Sequence, residues 1–266
     1  YCYNFIIMTE TATGTERLRA ILVLVATIGT IIFNWLAAMG YIGGVTPAEI
    51  SEKYQTLVTP AGYAFAIWSL IYLGIIVFSI YQLLPANLVR FRSIRSLYII
   101  SCVLNCSWIY MWHSDQIVVC FGLIAALLAS LFLINWQLRS TEAAVGEYWL
   151  AKAPFGIYFG WVTAATLVNF SIMLAYLKVE LSATANTVIA VVLIMIAGAL
   201  GIIVRFRMAN YIYPLAIAWA LTAIAVKQSG KTAIVVAAAI AVIACLIATL
   251  SFVVNLPSSD RPRNAE

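Results

Sequence analysis

Eight long apolar stretches dominate this sequence. Each has about 20 mostly apolar residues bounded by charged residues, glycine or proline, the length that an α-helix needs to cross the hydrocarbon core of a bilayer. The predicted spans are residues 18–40, 62–84, 96–113, 117–138, 153–177, 185–204, 208–226 and 231–255. The connections between them are too short for a soluble domain. The sequence therefore predicts an all-α, polytopic membrane protein with about eight transmembrane helices.

The charged residues support this prediction by their number and their placement. Only 9% of the 266 residues are charged, whereas a globular domain carries about 25%. One set of alternate connections holds Arg17, Arg19, Arg90, Arg92, Arg95, Arg139, Lys152, Arg205, Arg207, Arg261 and Arg263. The other set holds only Lys53, Lys178, Lys227 and Lys231. By the positive-inside rule, both termini are predicted to face the cytoplasm, in a bacterial inner membrane or a photosynthetic membrane.

The predicted spans contain no Asp, Glu, Lys or Arg near their centres. Ion-coupled transporters, proton pumps and channels place such groups at mid-membrane to carry or pair charge, and a retinal protein needs a buried lysine. The chain also has a single histidine, so no nucleophile and base pair can be assembled. We therefore expect neither charge movement nor an enzyme.

Metal binding has two weak candidates in the sequence. His113 lies with Asp115 in the tight turn between the third and fourth spans, and we interpret it as a capped turn residue. The alternative is an axial ligand to a haem or chlorophyll at the membrane surface. Cys102 and Cys106 form a C-x-x-x-C pattern in the third span, where cysteine usually serves as a small packing residue; a metal or redox role is the alternative.

Polar and aromatic side chains form stripes along four of the first five spans. At 100° per residue, each of the following groups shares one helix face. The groups are Thr27, Thr30, Asn34, Ala38 and Tyr41; Phe65, Trp68 and Tyr72; Asn105, Trp108 and Trp112; and Tyr158, Trp161, Ala165 and Asn169. Their depths predict a cavity in the outer half of the bilayer, beneath the loop 41–61, that suits a flat apolar ligand with polar edges. The alternative is packing, with the amides hydrogen-bonded across helices.

Three of these stretches are similar to helices of the TspO/MBR family, the tryptophan-rich sensory proteins related to the translocator protein. They are Trp161-Val-Thr-Ala-Ala-Thr-Leu-Val-Asn169, Trp68-Ser-Leu-Ile-Tyr72 after Pro60, and Leu104-Asn105-Cys-Ser-Trp108. The resemblance covers about residues 18–178. It departs at Phe65 and Ala66, where the family has Gly-Pro, and at Ile157, where the family has proline.

The resemblance implies a five-helix bundle, often dimeric, with a pocket under the loop between its first two helices. Family ligands include porphyrins and other tetrapyrroles, sterols and synthetic drugs. The residues carried over from the motifs are Trp68, Asn105, Trp108, Trp161, Ala165 and Asn169. With Tyr72 and Trp112 from the stripes, they form the predicted ligand-binding site.

The expected organisation is a TspO-like five-helix bundle extended by three helices. The predicted segments are a cytoplasmic N-terminal segment 1–17, a five-helix membrane domain 18–178, a three-helix membrane segment 179–256 and a polar tail 257–266. Gly156 and Gly160, and the seam of Ala237, Ala241, Ala244 and Ala248, allow close helix approach. We expect both to serve internal packing, with a partner subunit as the alternative.

Two functions fit these observations. In the first, the protein binds a tetrapyrrole, such as a porphyrin, haem or chlorophyll, or a similar apolar ligand, and acts as a sensor, carrier or scavenger. In the second, it is a structural subunit of a larger, pigment-containing photosynthetic membrane complex, and lipid, carotenoid or another pigment fills the pocket. The expected partners are the lipid bilayer, the apolar ligand, and a second copy or other membrane subunits, but no nucleic acid.

Overall fold

The computed structural model describes residues 14–139 and 145–254, and within these ranges the chain is helical without any strand. The helices in chain order are α1 (Gly14–Ala38), α2 (Pro47–Lys53), α3 (Ile67–Tyr81), α4 (Arg92–His113), α5 (Ile117–Leu138), α6 (Val145–Glu147), α7 (Ala153–Tyr176), α8 (Ala183–Met208), α9 (Tyr213–Lys227) and α10 (Thr232–Val254). Short 3₁₀ turns at Gly62–Ala66 and Pro85–Asn87 and a π-turn at Tyr148–Lys152 complete them. Most of segment 1–17 and all of tail 257–266 lie outside the described residues.

Seven helices in the described ranges are long and apolar enough to cross a membrane, which confirms a polytopic all-α membrane protein. The seventh predicted span, 208–226, is shorter than expected, because α8 continues to Met208 and α9 begins only at Tyr213. With 15 residues, α9 is about 22 Å long. Ala209 ends α8 in the left-handed conformation at φ 50°, and Asn210 Oδ1 then accepts hydrogen bonds from the first backbone N–H groups of α9.

The helix ends fall into two groups that match the two sets of connections. At the arginine-rich end, Arg95 on α4 donates a 2.7 Å hydrogen bond to Glu16 on α1, and Lys152 donates to the carbonyl of Arg139. At the opposite end, which we call the loop end, Lys227 forms an ion pair with Glu52 on α2 at 2.6 Å. The charged side chains therefore tie helices together at both ends of the bundle.

Helix α7 lies at the centre of the molecule, in contact with α3, α5, α8 and α9. A Cβ added to Gly160 would lie 2.6 Å from the carbonyl oxygen of Tyr213, and one added to Gly156 would overlap Asn210. In the alanine seam of α10, Ala241 packs against Gly198 of α8 in the same way. Both small-residue seams therefore serve contacts within the chain.

Helices α8 to α10 are integrated through α9 with the five long helices that precede them, which are α1, α3, α4, α5 and α7. Helix α9 packs against α7 on one side and against α8 and α10 on the other. It also holds the start of α3, since the Ala61 N–H donates to the Ala223 carbonyl and the indole of Trp219 donates to the Ala64 carbonyl, at 3.0 and 2.9 Å. The backbone around the 3₁₀ turn before α3 thus depends on α9 for its hydrogen bonds.

Candidate ligand-binding site

Four tryptophans from three helices meet around one small cavity near the loop end. Trp68 comes from α3, Trp108 and Trp112 from α4, and Trp161 from α7. The cavity, which we call the tryptophan cavity, has a volume of about 40 Å³. Its other lining residues are Ser51, Pro60, Phe65, Ala164, Ala165, Val168, Asn169, Ile172, Ala220 and Ile224. The first and last of these come from α2 and α9, so elements from both halves of the chain enclose the cavity.

The indole rings are fixed by contacts with each other and with polar groups. Trp108 and Trp112, four residues apart on α4, stack at a centroid distance of 5.6 Å. Trp68 meets Trp161 edge to face at 6.3 Å. The Trp108 indole donates to Asn169 Oδ1 at 3.3 Å, and the Trp112 indole donates to the Pro47 carbonyl at 3.2 Å. The helical spacing of four residues therefore places each ring on the inner face, as the stripes predict.

Six of the eight predicted site residues line the cavity, and two do not. The six are Trp68, Trp108, Trp112, Trp161, Ala165 and Asn169. Tyr72 stacks on Trp68 at a centroid distance of 5.5 Å. Asn105 accepts a 2.7 Å hydrogen bond from Asn34 on α1, while its own Nδ2 has no hydrogen-bond partner among the described residues. The amides thus make some of the contacts across helices that the packing alternative expects.

The sequence did not identify several of the lining residues. Ala220 and Ile224 lie one turn apart on α9 and have no polar or aromatic character that could distinguish them from lipid-facing residues. Ser51 comes from α2, a helix too short to be found by hydropathy. Phe65 meets Trp161 edge to face at 6.0 Å. Because Phe65 lies on the same stripe as Trp68, helical periodicity was the signal that could have identified it.

Helix α2 covers the cavity at the loop end. A capping box begins it, in which Thr46 Oγ1 accepts from the Glu49 N–H and the Glu49 carboxylate accepts from the Thr46 N–H. Ile50 and Ser51 are its buried face, 7% and 3% exposed. The inner face of α2 is therefore part of the cavity wall, and its outer face carries charged side chains.

Two ion pairs fasten α2 to different helices. Glu52 accepts from Lys227 of α9 at 2.6 and 2.7 Å, and Lys53 donates to Asp115 after α4. Partial burial acts to raise the pKa of Asp115, but the hydrogen bonds from Lys53 and Tyr54 lower this pKa below its ordinary value. The hydrogen bond to Asp115 likewise raises the pKa of Lys53. Both groups are therefore charged at neutral pH, and the pair persists there.

The two weak metal candidates have other contacts. His113 Nδ1 lies 2.7 Å from the Ile109 carbonyl, and Nε2 lies 3.2 Å from the Val45 carbonyl, so the ring links α4 to the loop before α2. Cys106 Sγ lies 3.8 Å from Thr30 Oγ1. No group of three or more His, Cys, Asp or Glu side chains with metal-binding geometry occurs within residues 14–139 and 145–254.

Comparison with known proteins gives one match. The family model described as TSPO-like protein matches residues 20–252, a range that begins in α1 and ends in α10. It therefore includes α8 to α10, whereas the motifs that resemble the family in the sequence all lie within 18–178. No curated protein and no solved structure matches the chain. Because the family model covers most of the sequence, the chain belongs to the family of TSPO-like proteins.

Proposed function

We propose that this protein binds a flat, largely apolar molecule of the tetrapyrrole class in the tryptophan cavity and acts as a sensor, carrier or scavenger in the membrane. The observation that carries this proposal is the meeting of four tryptophans, from α3, α4 and α7, around one cavity beneath α2. Indole rings offer large apolar faces for stacking on a conjugated ring. Membership of the TSPO-like family supports the proposal.

The polar groups of the cavity suit recognition of a ligand edge. Asn169 and Ser51 are its two polar lining residues, and the described lining includes no acidic or basic side chain. A few hydrogen-bonding groups in an apolar site fix the orientation of a ligand. We propose binding in place of catalysis, because general acid–base chemistry needs an ionisable group within reach of the ligand.

The volume of the cavity requires that binding be accompanied by a rearrangement. Sites for drug-sized ligands have volumes of roughly 300–1,000 Å³, whereas the tryptophan cavity has about 40 Å³. A tetrapyrrole therefore needs the indole rings to rotate and α2 to move outward. Helix α2 is suited to such movement, because it is seven residues long and the ion pairs that fasten it are partly exposed to solvent.

Titration with protoporphyrin IX tests the proposal. Stacking of the porphyrin quenches tryptophan fluorescence in the purified protein, and Trp68→Ala and Trp161→Ala each weaken the affinity by roughly tenfold, since one aromatic contact contributes about 1 kcal/mol beyond its buried area. Trp149→Ala is the matched control, because Trp149 is 58% exposed at the arginine-rich end, away from the cavity. Its titration is expected to equal that of the wild type.

Equal affinity in the wild type and in both cavity variants would contradict the proposal. The four tryptophans would then be a packing cluster. Migration in native gels of source membranes distinguishes the sensor or carrier from the structural subunit. A large complex of fixed stoichiometry that contains the chain would support a structural subunit. A free monomer or dimer that binds porphyrin supports a sensor or carrier.

A further inference from the structure

A second and larger hollow lies between α5, α7, α8 and α9, on the half of the molecule nearer the arginine-rich end. Its volume is about 660 Å³, within the range of ligand sites. We call it the α5–α8 groove. Its lining residues are Ala125, Leu128, Ala129, Phe132, Trp136, Phe159, Thr163, Leu200, Ile203, Val204, Arg207, Met208 and Tyr213. It shares none of these residues with the tryptophan cavity.

The groove has the length of one leaflet of a bilayer. On α5 its lining runs from Ala125 to Trp136, which is about 16 Å at 1.5 Å per residue. The hydrocarbon core of a bilayer is about 30 Å thick. The groove therefore extends from the arginine-rich end to about the middle of the membrane and stops there.

The wall of the groove is apolar although two hydroxyl groups lie in it. Tyr213 Oη donates to Thr163 Oγ1 at 2.9 Å, and Thr163 in turn donates to the Phe159 carbonyl at 2.8 Å. Both hydroxyl groups are buried and bonded within the chain. The open side is bordered by Phe132 and Trp136, each 42% exposed, so the groove is accessible from the surface that faces lipid.

Positive charge lies where the groove meets the arginine-rich end of the molecule. Arg207 lines it, and the Arg139 guanidinium lies 3.2 Å from the centroid of the Trp136 ring. Arg95 and Arg90 at the same end are paired with Glu16 and Glu147, whereas no carboxylate in the described part of the chain pairs with Arg207 or Arg139. Two guanidinium groups that pair with no carboxylate among the described residues therefore border an apolar groove of one-leaflet length.

We propose that the α5–α8 groove binds one anionic phospholipid, with an acyl chain along α5 and α8 and its phosphate at Arg207 and Arg139. The positive charge at the arginine-rich end complements a phosphate. The length and apolar wall of the groove complement an acyl chain. Basic pockets between transmembrane helices bind anionic headgroups by this combination. The small side chains of Ala125 and Ala129 leave the space that the acyl chain occupies.

Competition between two lipids tests the proposal. The protein is reconstituted in vesicles of equal phosphatidylcholine and phosphatidylglycerol, extracted in mild detergent, and the lipids that remain bound are counted by native mass spectrometry. The wild type is expected to retain one phosphatidylglycerol per chain. Arg207→Gln lowers the preference for phosphatidylglycerol roughly fivefold, the effect of one cation near a membrane surface, and Ala129→Phe lowers retention of both lipids by filling the groove.

Arg17→Gln is the matched control, because Arg17 is exposed at the same end and does not line the groove. Its lipid retention is expected to equal that of the wild type. Free glycerol phosphate, which carries the charge without an acyl chain, is expected not to displace the bound lipid. Equal retention in all variants, displacement by glycerol phosphate, or a dimer that Ala129→Phe dissociates would overturn the proposal, the last by showing that a second chain occupies the groove. Protoporphyrin quenching stays unchanged in Arg207→Gln, so failure of this proposal is separate from failure of the proposed function.

Discussion

Gly160 sets the distance between α7 and α9. A Cβ at this position would lie 2.6 Å from the Tyr213 carbonyl oxygen and 2.8 Å from the Ala216 Cβ. The first neighbour is backbone, which cannot rotate away as the end of a flexible side chain can. Since α9 closes one wall of the tryptophan cavity through Ala220 and Ile224, one missing methyl group on α7 determines both the packing of the last three helices and the shape of the candidate site.

Gly160→Ala is expected to destabilise the protein by about 1–3 kcal/mol, the usual cost of overpacking a close contact. Thermal unfolding in detergent, followed by helical circular dichroism, measures the change. Gly122→Ala on α5 is the matched control, because a Cβ there meets no atom within 4 Å. Its melting temperature is expected not to fall, since alanine is a better helix former than glycine. Equal melting temperatures for the two variants would mean that α9 shifts without cost.

Asn210 shows what the sequence could not predict at the residue scale. Its Nδ2 donates to Asn135 Oδ1 and to the Lys152 carbonyl, and its Oδ1 accepts from the start of α9. Every one of these partners except the last is distant along the chain, so no local pattern identifies them. By contrast, the inward direction of Trp108 and Trp112 follows from helical periodicity alone, and the sequence predicts it.

Helix α2 is the element on which access to the tryptophan cavity depends. Its inner face supplies Ser51 to the cavity, and Glu52 and Lys53 fasten it to α9 and to the turn after α4. Both ion pairs are partly exposed, so each contributes little to global stability. They act on a seven-residue element with few buried contacts, however, and there a small free energy changes how often the element opens.

Lys227→Gln is expected to raise the association rate of protoporphyrin by up to about fivefold, because a partly exposed ion pair contributes roughly 0.2–1 kcal/mol. Stopped-flow quenching of tryptophan fluorescence measures the rate. Glu52→Gln is expected to have the same effect, and the double variant no more than either single one, since all three remove one interaction. Lys231→Gln at the same end is the control, because Lys231 forms no ion pair among the described residues. An additive effect in the double variant would mean that Lys227 and Glu52 act independently, and that their ion pair is not what holds α2 in place.

The elements show where hydropathy succeeds and where it stops. Runs of about 20 apolar residues predict every long helix, because the bilayer imposes that length. Helix α2 is seven residues long, and α9 starts five residues later than predicted because Ala209 adopts a left-handed conformation. Both exceptions enclose the tryptophan cavity. The predicted residues therefore include its four tryptophans but omit Phe65 and the residues that the short elements supply.

At the scale of the whole molecule, the long helices act as one unit around α7 and α9. They are α1, α3, α4, α5, α7, α8, α9 and α10. The cavity draws its wall from α2, α3, α4, α7 and α9, and the family match likewise extends to residue 252. A five-helix bundle without α9 would lose Ala220 and Ile224 from the cavity wall, the hydrogen-bond partner of the Ala61 N–H and the indole hydrogen bond to the Ala64 carbonyl. The candidate site therefore belongs to the whole chain.

Ala220→Val tests the contribution of α9 to the site. The two added methyl groups project into the tryptophan cavity, so the affinity for protoporphyrin is expected to fall roughly tenfold, equivalent to about 1.4 kcal/mol of steric conflict within the 1–3 kcal/mol range for overpacking. Fluorescence titration measures it. Thr222→Val is the matched control, since Thr222 is on the exposed face of α9 and valine has nearly its shape. Unchanged affinity in Ala220→Val would place the ligand away from α9.

The unequal ends predict the orientation of the bundle. The arginine-rich end is expected to face the cytoplasm, because lysine and arginine near helix ends are retained on that side during insertion. The test uses a variant whose five cysteines are replaced by alanine and which carries one new cysteine, Arg17→Cys or Lys231→Cys. A membrane-impermeant maleimide is expected to label Lys231→Cys in intact bacterial spheroplasts and Arg17→Cys only after permeabilisation. The reverse pattern would put the arginine-rich end outside, and the α5–α8 groove would then open to the outer leaflet and the tryptophan cavity to the inner one.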